Sequence, residues 1–172
     1  MAESQRFRAN VGIVVLNERW DVLALERIDK GALERGVKTG SGEWQMPQGG
    51  LDEGEEPDEA WRRELSEEIQ VEGGDVELIG RYPEWLAYEL PKAVRDRPQV
   101  KEKQGRGQVQ MWYFVRLRPG AVVKVDTKNP RDQEFVAHKW MPLGRLAEET
   151  WAVRRSNYLK LALHLAALRP QE

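Results

Sequence analysis

The sequence predicts an α/β fold in which helices cover a sheet. Strand-like and helix-like segments alternate along the chain without repeats or a low-complexity linker. The strand segments are rich in β-branched residues and leucine, whereas the helix segments carry apolar residues at helical spacing. A chain of 172 residues with 40% hydrophobic content can bury one core and has no room for a second of similar size, so residues 1–172 are expected to form one domain.

Each element has its own justification. Asn10 to Arg27 reads as two strands around a turn at Asn17 to Asp21, a hairpin. A polar, glycine-rich stretch, residues 28–43, follows and is expected to be a long surface loop, functional or inert. Pro57 suits the first turn of a helix in which Trp61, Leu65 and Ile69 form one core-facing stripe. Asp75 to Leu90, Gly107 to Leu117 and Glu134 to Trp140 are further strand segments, and residues 150–168 form a C-terminal helix.

Composition removes several function classes. No cysteine is present, which excludes disulfides, thiolate metal sites and thiol nucleophiles. His138 and His164 are the only imidazoles and lie far apart, against a Ser/His/Asp triad or a histidine-rich zinc site. The N-terminus has no signal-like apolar segment and no run approaches a membrane span, so a cytoplasmic protein without membrane partners is expected. A net charge of −2 argues against a general nucleic-acid coat, although Lys92 to Arg106 holds six basic and two acidic residues.

The stretch Gly49 to Val71 concentrates seven glutamates and two aspartates. Glu64, Glu67 and Glu68 share one helix face with no cation expected among them. Like charges at this spacing cost ~0.2–0.5 kcal/mol per pair, and the negative end of the helix dipole disfavours them further. A bound cation reverses both penalties, and converging carboxylates are the hard oxygen donors that Mg2+ or Mn2+ accepts. A solvated acidic surface is the plain alternative.

Spacing shifts the balance toward the metal reading. Gly49, Glu55, Arg63, Glu64, Leu65, Glu67 and Glu68 fit the pattern Gly, five residues, Glu, seven residues, Arg-Glu-apolar-x-Glu-Glu. A chance match is on the order of 10⁻⁴ from residue frequencies. The segment resembles the Nudix box, and that resemblance implies an α/β/α sandwich with a mixed sheet and metal-dependent hydrolysis of nucleoside diphosphate linkages. Arg8 to Tyr158 is similar to RNA pyrophosphohydrolases and diadenosine polyphosphate hydrolases through "WQMPQGG", "WLAYELPK", "GQVQMW" and "QEFVAHKW". By this resemblance a nucleoside polyphosphate or a triphosphorylated RNA 5′ end is the substrate, and Glu64, Glu67, Glu68 and Glu134, with Gly49, form the metal set. Glu68 is the first candidate for the base, with Glu64 and Glu134 behind it. Arg63 joins the catalytic group, its expected part being to fix the loop through Glu55. Arg8, Gln48, Tyr88, Lys92, Trp151 and Arg154 are the substrate-binding candidates.

This chain also departs from the family pattern. Gln70 stands where the box ends in glycine, so the helix exit is either strained or rebuilt. Val109 and Met111 replace residues that are usually basic, Val153 replaces an aromatic, and the 28–43 segment is longer than in compact relatives. A Nudix-fold sensor that binds a nucleotide with little turnover is the alternative to an enzyme.

Overall fold

A computed structural model describes residues 6–98, 100, 105–125 and 133–171. Lys101 and Lys103, part of the basic stretch noted above, lie outside the described residues. Among the described residues, eight strands form one mixed sheet: β1 (Phe7–Leu16), β2 (Val22–Ile28), β3 (Gly40–Gln45), β4 (Gln48–Gly50), β5 (Val76–Arg81), β6 (Leu86–Glu89), β7 (Gly107–Leu117) and β8 (Phe135–Met141). The spine runs β3-β2-β1-β7-β5, while β4 pairs with β1, β6 with β7 and β8 with β2. β1 and β7 are parallel, and the other pairings are antiparallel. The helices are α1 (Lys30–Glu34), α2 (Pro57–Ile69), α3 (Lys92–Arg95), α4 (Leu143–Glu149) and α5 (Ala152–Leu168).

Alternation along the central strands produces two core clusters of similar size, one on each face of the sheet, which corrects the expectation of a single core within the one domain. Val11, Ile13 and Val15 of β1, with Met111, Tyr113 and Val115 of β7, pack with Trp61, Leu65 and Ile69 of α2. Val14, Leu16, Trp112 and Phe114 point the other way, onto Leu143 and Leu146 of α4 and Tyr158, Leu161 and Leu165 of α5. Gly12 pairs directly with Trp112, whose indole fills the space a side chain at position 12 would need. The expected α/β/α arrangement and the α2 stripe are both present. Among the described residues, no helix is long and apolar enough to cross a membrane.

Three expectations about elements need correction. Residues 28–43 are not an irregular loop: they contain α1 and the first part of β3. The Asp29 side chain accepts a hydrogen bond from the Ala32 amide, which caps α1, and Glu26↔Trp44 and Ile28↔Gly40 pairings hold β3 on β2. The segment Asp75 to Leu90 is two strands, β5 and β6, separated around Pro83, which has no amide to give to a ladder. Beyond Trp140, α4 precedes the C-terminal helix, which itself begins at Ala152.

The expected hairpin turn is held by Asn17, whose side-chain oxygen accepts from the amides of Arg19 and Asp21. α2 begins with reciprocal Glu56 and Glu59 capping and Pro57 in its first turn. Its end resolves the Gln70 question: Gln70 has φ 56° and ψ 36°, the left-handed conformation itself. The amides of Gln70 and Val71 close back onto the carbonyls of Ser66 and Leu65, so the glycine-type exit is retained without glycine.

Candidate functional site

β4 lies antiparallel on β1 and brings Gln48, Gly49 and Gly50 beneath α2. A cavity of about 780 Å³ opens there. Glu64, Glu67 and Glu68 of α2 line it together with Glu134, which immediately precedes β8. Three acids of the helix and a fourth, Glu134, from far along the chain thus meet because β8 pairs with β2 beside β1.

The carboxylates occupy different environments. Glu64 is buried and fills the space a side chain on Gly49 would need. Its burial raises its pKa against the opposing pull of Arg63. Glu68 accepts a hydrogen bond of 3.2 Å from the Gln48 amide. Its pKa is raised well above the usual carboxylate range, first by enclosure in the protein and then by the charges of Glu64 and Glu134, while Gln48 and Arg27 pull it down. Glu67 and Glu134 are exposed.

Arg63 organises this wall. Its guanidinium holds both oxygens of Glu55 at 2.8 Å and donates to the Gly50 carbonyl at 2.9 Å. The pair depresses the Glu55 pKa to about 2 and raises that of Arg63. The expectation that the acidic triplet lacks an internal cation is corrected, because Arg63 also reaches Glu64 at 2.8 Å and Glu67 at 3.2 Å. The Arg63–Glu67 contact is an i,i+4 pair that helical spacing anticipates, whereas the contact with the adjacent Glu64 is not.

Among the described residues, no three acid side chains stand together as a ready metal cage. The donor chemistry nonetheless fits a hard divalent ion. Glu68 is destabilised as an anion by Glu64 and Glu134, and the missing side chain at Gly49 lets the Glu64 carboxylate lie directly against the β4 backbone.

The substrate-binding candidates divide. Arg8 and Gln48 line the cavity. Arg8 lies against Gly50, and Gln110 donates to both Gln48 and Asn10 at 2.9 Å, fixing the amide of Gln48. Tyr88, Lys92, Trp151 and Arg154 do not line it. Tyr88 stands one hydrogen bond behind it, donating at 2.7 Å to Gln108, which does. Lys92 is exposed at the start of α3. Arg154 is buried, pairs with Glu43 at 2.8 Å and faces the rings of Trp151 and Tyr88 at 5.4 and 5.7 Å.

Arg27 and Lys30 also line the cavity and were missed by sequence reasoning. Arg27 donates to Gln45 and lies over the Phe135 ring. Its signal was a cation at the end of a strand leading into the long segment; motif spacing among acids does not find it.

A family model described as the NUDIX domain matches residues 6–162. The chain is 37% identical over 174 residues to the RNA pyrophosphohydrolase of Pseudomonas paraeruginosa, covering 97% of this chain and 99% of that protein. It is 34% identical over 159 residues to the RNA pyrophosphohydrolase of Nitratiruptor sp., covering 92% and 93%. The structure of a C. elegans Ap4A hydrolase binary complex superposes with a TM-score of 0.63 at 18% identity, covering 93% of this chain and 98% of the other, a likeness of fold.

Proposed function

The chain belongs to the Nudix family of hydrolases, and from that premise we propose that it is a metal-dependent pyrophosphohydrolase acting on RNA 5′-triphosphate ends, with (di)nucleoside polyphosphates as the related substrate class. The observation that carries this reading is one cavity with acids on α2 and before β8 and with cations from β1, β2 and α1. Such a surface would suit a phosphate chain, with the carboxylates holding divalent ions and the side-chain cations taking phosphate oxygens. The curated relatives that align over nearly all of the chain are named for RNA pyrophosphohydrolysis, which favours the RNA end.

In this reading Glu64, Glu67, Glu68 and Glu134, with Gly49 beside Glu64, would hold Mg2+ or Mn2+. Once bound there, a divalent ion would supply charge neutralisation on the phosphate oxygens and an acidified water. Glu68 is the proposed proton acceptor, because enclosure and two neighbouring carboxylates raise its affinity for a proton. Positioned base catalysis of this kind contributes ~10²–10⁴-fold. Arg63 holds the Gly50 to Glu55 loop against α2 and so orients Glu64. Arg8 and Arg27 receive phosphate oxygens, while Gln48 shapes the floor through its amide to Glu68. Tyr88, Trp151 and Arg154 support this wall from behind. The same proposal takes residues 1–172 as one catalytic domain working in the cytoplasm.

The sensor alternative is set aside, because membership of a hydrolase family and relatives named as pyrophosphohydrolases support turnover. Product analysis with Mg2+ or Mn2+ on triphosphorylated RNA, diadenosine tetraphosphate and free nucleoside triphosphates tests the substrate. Pyrophosphate or successive phosphate release from RNA, at higher kcat/KM than on the other two, is the expected result. Preference for a free triphosphate would reject the RNA reading.

A further inference from the structure

The segment between β2 and β3 delivers to the cavity a cation that the motif does not contain. The segment is closed on itself: the Asp29 amide donates to the Thr39 carbonyl at 2.8 Å and the Val37 amide to that of Ala32 at 2.9 Å. Ala32 is buried, and the Ile28↔Gly40 pairing staples both ends to the sheet. The Ile28 amide also donates to the Glu134 carbonyl at 2.8 Å. A loop anchored this way holds Lys30 at a fixed place on the cavity wall, with Arg27 and Glu134.

The other cations show why that matters. Of the four lining the cavity, Arg63 is engaged by Glu55, Glu64 and Glu67, and Arg27 donates to Gln45. The side chains of Lys30 and of Arg8 make no hydrogen bond or ion pair with any described residue. Strand β7 presents apolar side chains at Val109 and Met111, and Met111 is committed to the core. We infer that Lys30 is a substrate-phosphate contact supplied by the 29–39 segment, binding an oxygen of the polyphosphate chain and setting affinity. This rests on the phosphoanhydride-hydrolase reading of the cavity. A flexible stem ending in a point charge suits contact with a phosphate whose position varies along the chain.

The test is steady-state kinetics of wild type, Lys30→Gln and Lys30→Arg with Mg2+, on triphosphorylated RNA and on diadenosine tetraphosphate, at several salt concentrations. Lys30→Gln is expected to raise KM about tenfold with kcat nearly unchanged, the loss of one charge-assisted hydrogen bond at a solvated site. On RNA its salt dependence should flatten by about 0.7 in the log–log slope, one phosphate contact fewer. Lys30→Arg should retain most of the affinity. A Lys30→Gln protein with wild-type KM and salt slope overturns the assignment, as does a fall in kcat at constant KM. Wild type that cleaves the dinucleotide and ignores RNA ends would reject the RNA reading alone. In that case a raised KM of Lys30→Gln on the dinucleotide still upholds Lys30, and an unchanged one overturns it.

Discussion

The carboxyl group of Glu64 occupies the volume that a side chain on Gly49 would fill. β4 and α2 can approach only because position 49 has no Cβ, and Glu64 is also held from its other side by Arg63 at 2.8 Å. Gly49→Ala therefore has to displace the carboxylate, the Arg63 network or β4 itself. A shift of about 1 Å in a catalytic group can cost ~10²-fold in rate, so kcat should fall by about that factor. Parallel kinetics and thermal melts check this, and a fully active Gly49→Ala protein would show that Glu64 is not held in a required position.

Catalysis should depend on the acids of α2 and on neither histidine. Glu67→Gln and Glu68→Gln preserve size while removing a charge, and each should lower turnover by at least ~10²-fold. His164 packs between Tyr82 and Phe114, and His138 is exposed on β8, so His138→Ala and His164→Ala should keep most of the rate. Wild-type turnover in both glutamine variants would reject the metal platform.

These residues show what local sequence can and cannot carry. Pro57 with Trp61, Leu65 and Ile69 specified α2 because helix period and capping are local properties. The acids of α2 could be read for the same reason: their chemistry depends on spacing along one helix. Lys30 and Arg27 could not, since they reach the cavity through β2–β8 pairing and a self-closed segment. Arg154 misled in the opposite direction. By resemblance it is a substrate-binding candidate, yet it is buried against Glu43, 111 residues away, and the rings of Trp151 and Tyr88. Trp61, by contrast, was found as core from periodicity and is core.

Gln70 in a left-handed conformation gives a stability prediction of definite sign. A residue with a Cβ costs ~1–2 kcal/mol there, whereas glycine adopts it freely. Gln70→Gly should stabilise the protein by up to about 1 kcal/mol, with activity kept, since the Ser66 and Leu65 carbonyls remain capped by backbone amides. Denaturant midpoints of the two proteins decide it, and a destabilised glycine variant would mean that the Gln70 side chain contributes more than its backbone strain costs.

Two buried tyrosines predict the alkaline limit of stability. Burial, aided at Tyr113 by its hydrogen bond to Asp58, pushes both Tyr113 and Tyr158 up to about 12. The ordinary value is about 10, so the folded state binds these protons more tightly than the unfolded chain. Their contribution to stability is complete below about pH 10 and is lost as pH rises through 12. Ultraviolet titration of native protein should show part of the tyrosinate signal delayed until near that pH, coincident with unfolding. One early transition with the fold intact would contradict the burial argument.

Arg154 separates a structural from a substrate-binding part for the residues behind the cavity. Its side chain is 7% exposed and pairs with Glu43, while the rings of Trp151 and Tyr88 cover the guanidinium. Removing one member of a buried ion pair leaves the other charge without compensation, so Arg154→Ala should cost roughly 3 kcal/mol. Glu43 is more exposed, at 35%, and Glu43→Gln keeps an acceptor, so its loss should be smaller, about 1 kcal/mol. Trp151→Ala removes one ring and should destabilise without selectively weakening either RNA or dinucleotide binding. Because the Arg154–Glu43 pair ties α5 to β3, and Tyr88 reaches the cavity only through Gln108, the folded fraction of Arg154→Ala should retain near-normal KM. Melts and KM measured on the same preparations distinguish the cases. A raised KM with an unshifted melt would place Arg154 on the substrate, and a Trp151→Ala loss confined to diadenosine tetraphosphate would show that its ring stacks on a base.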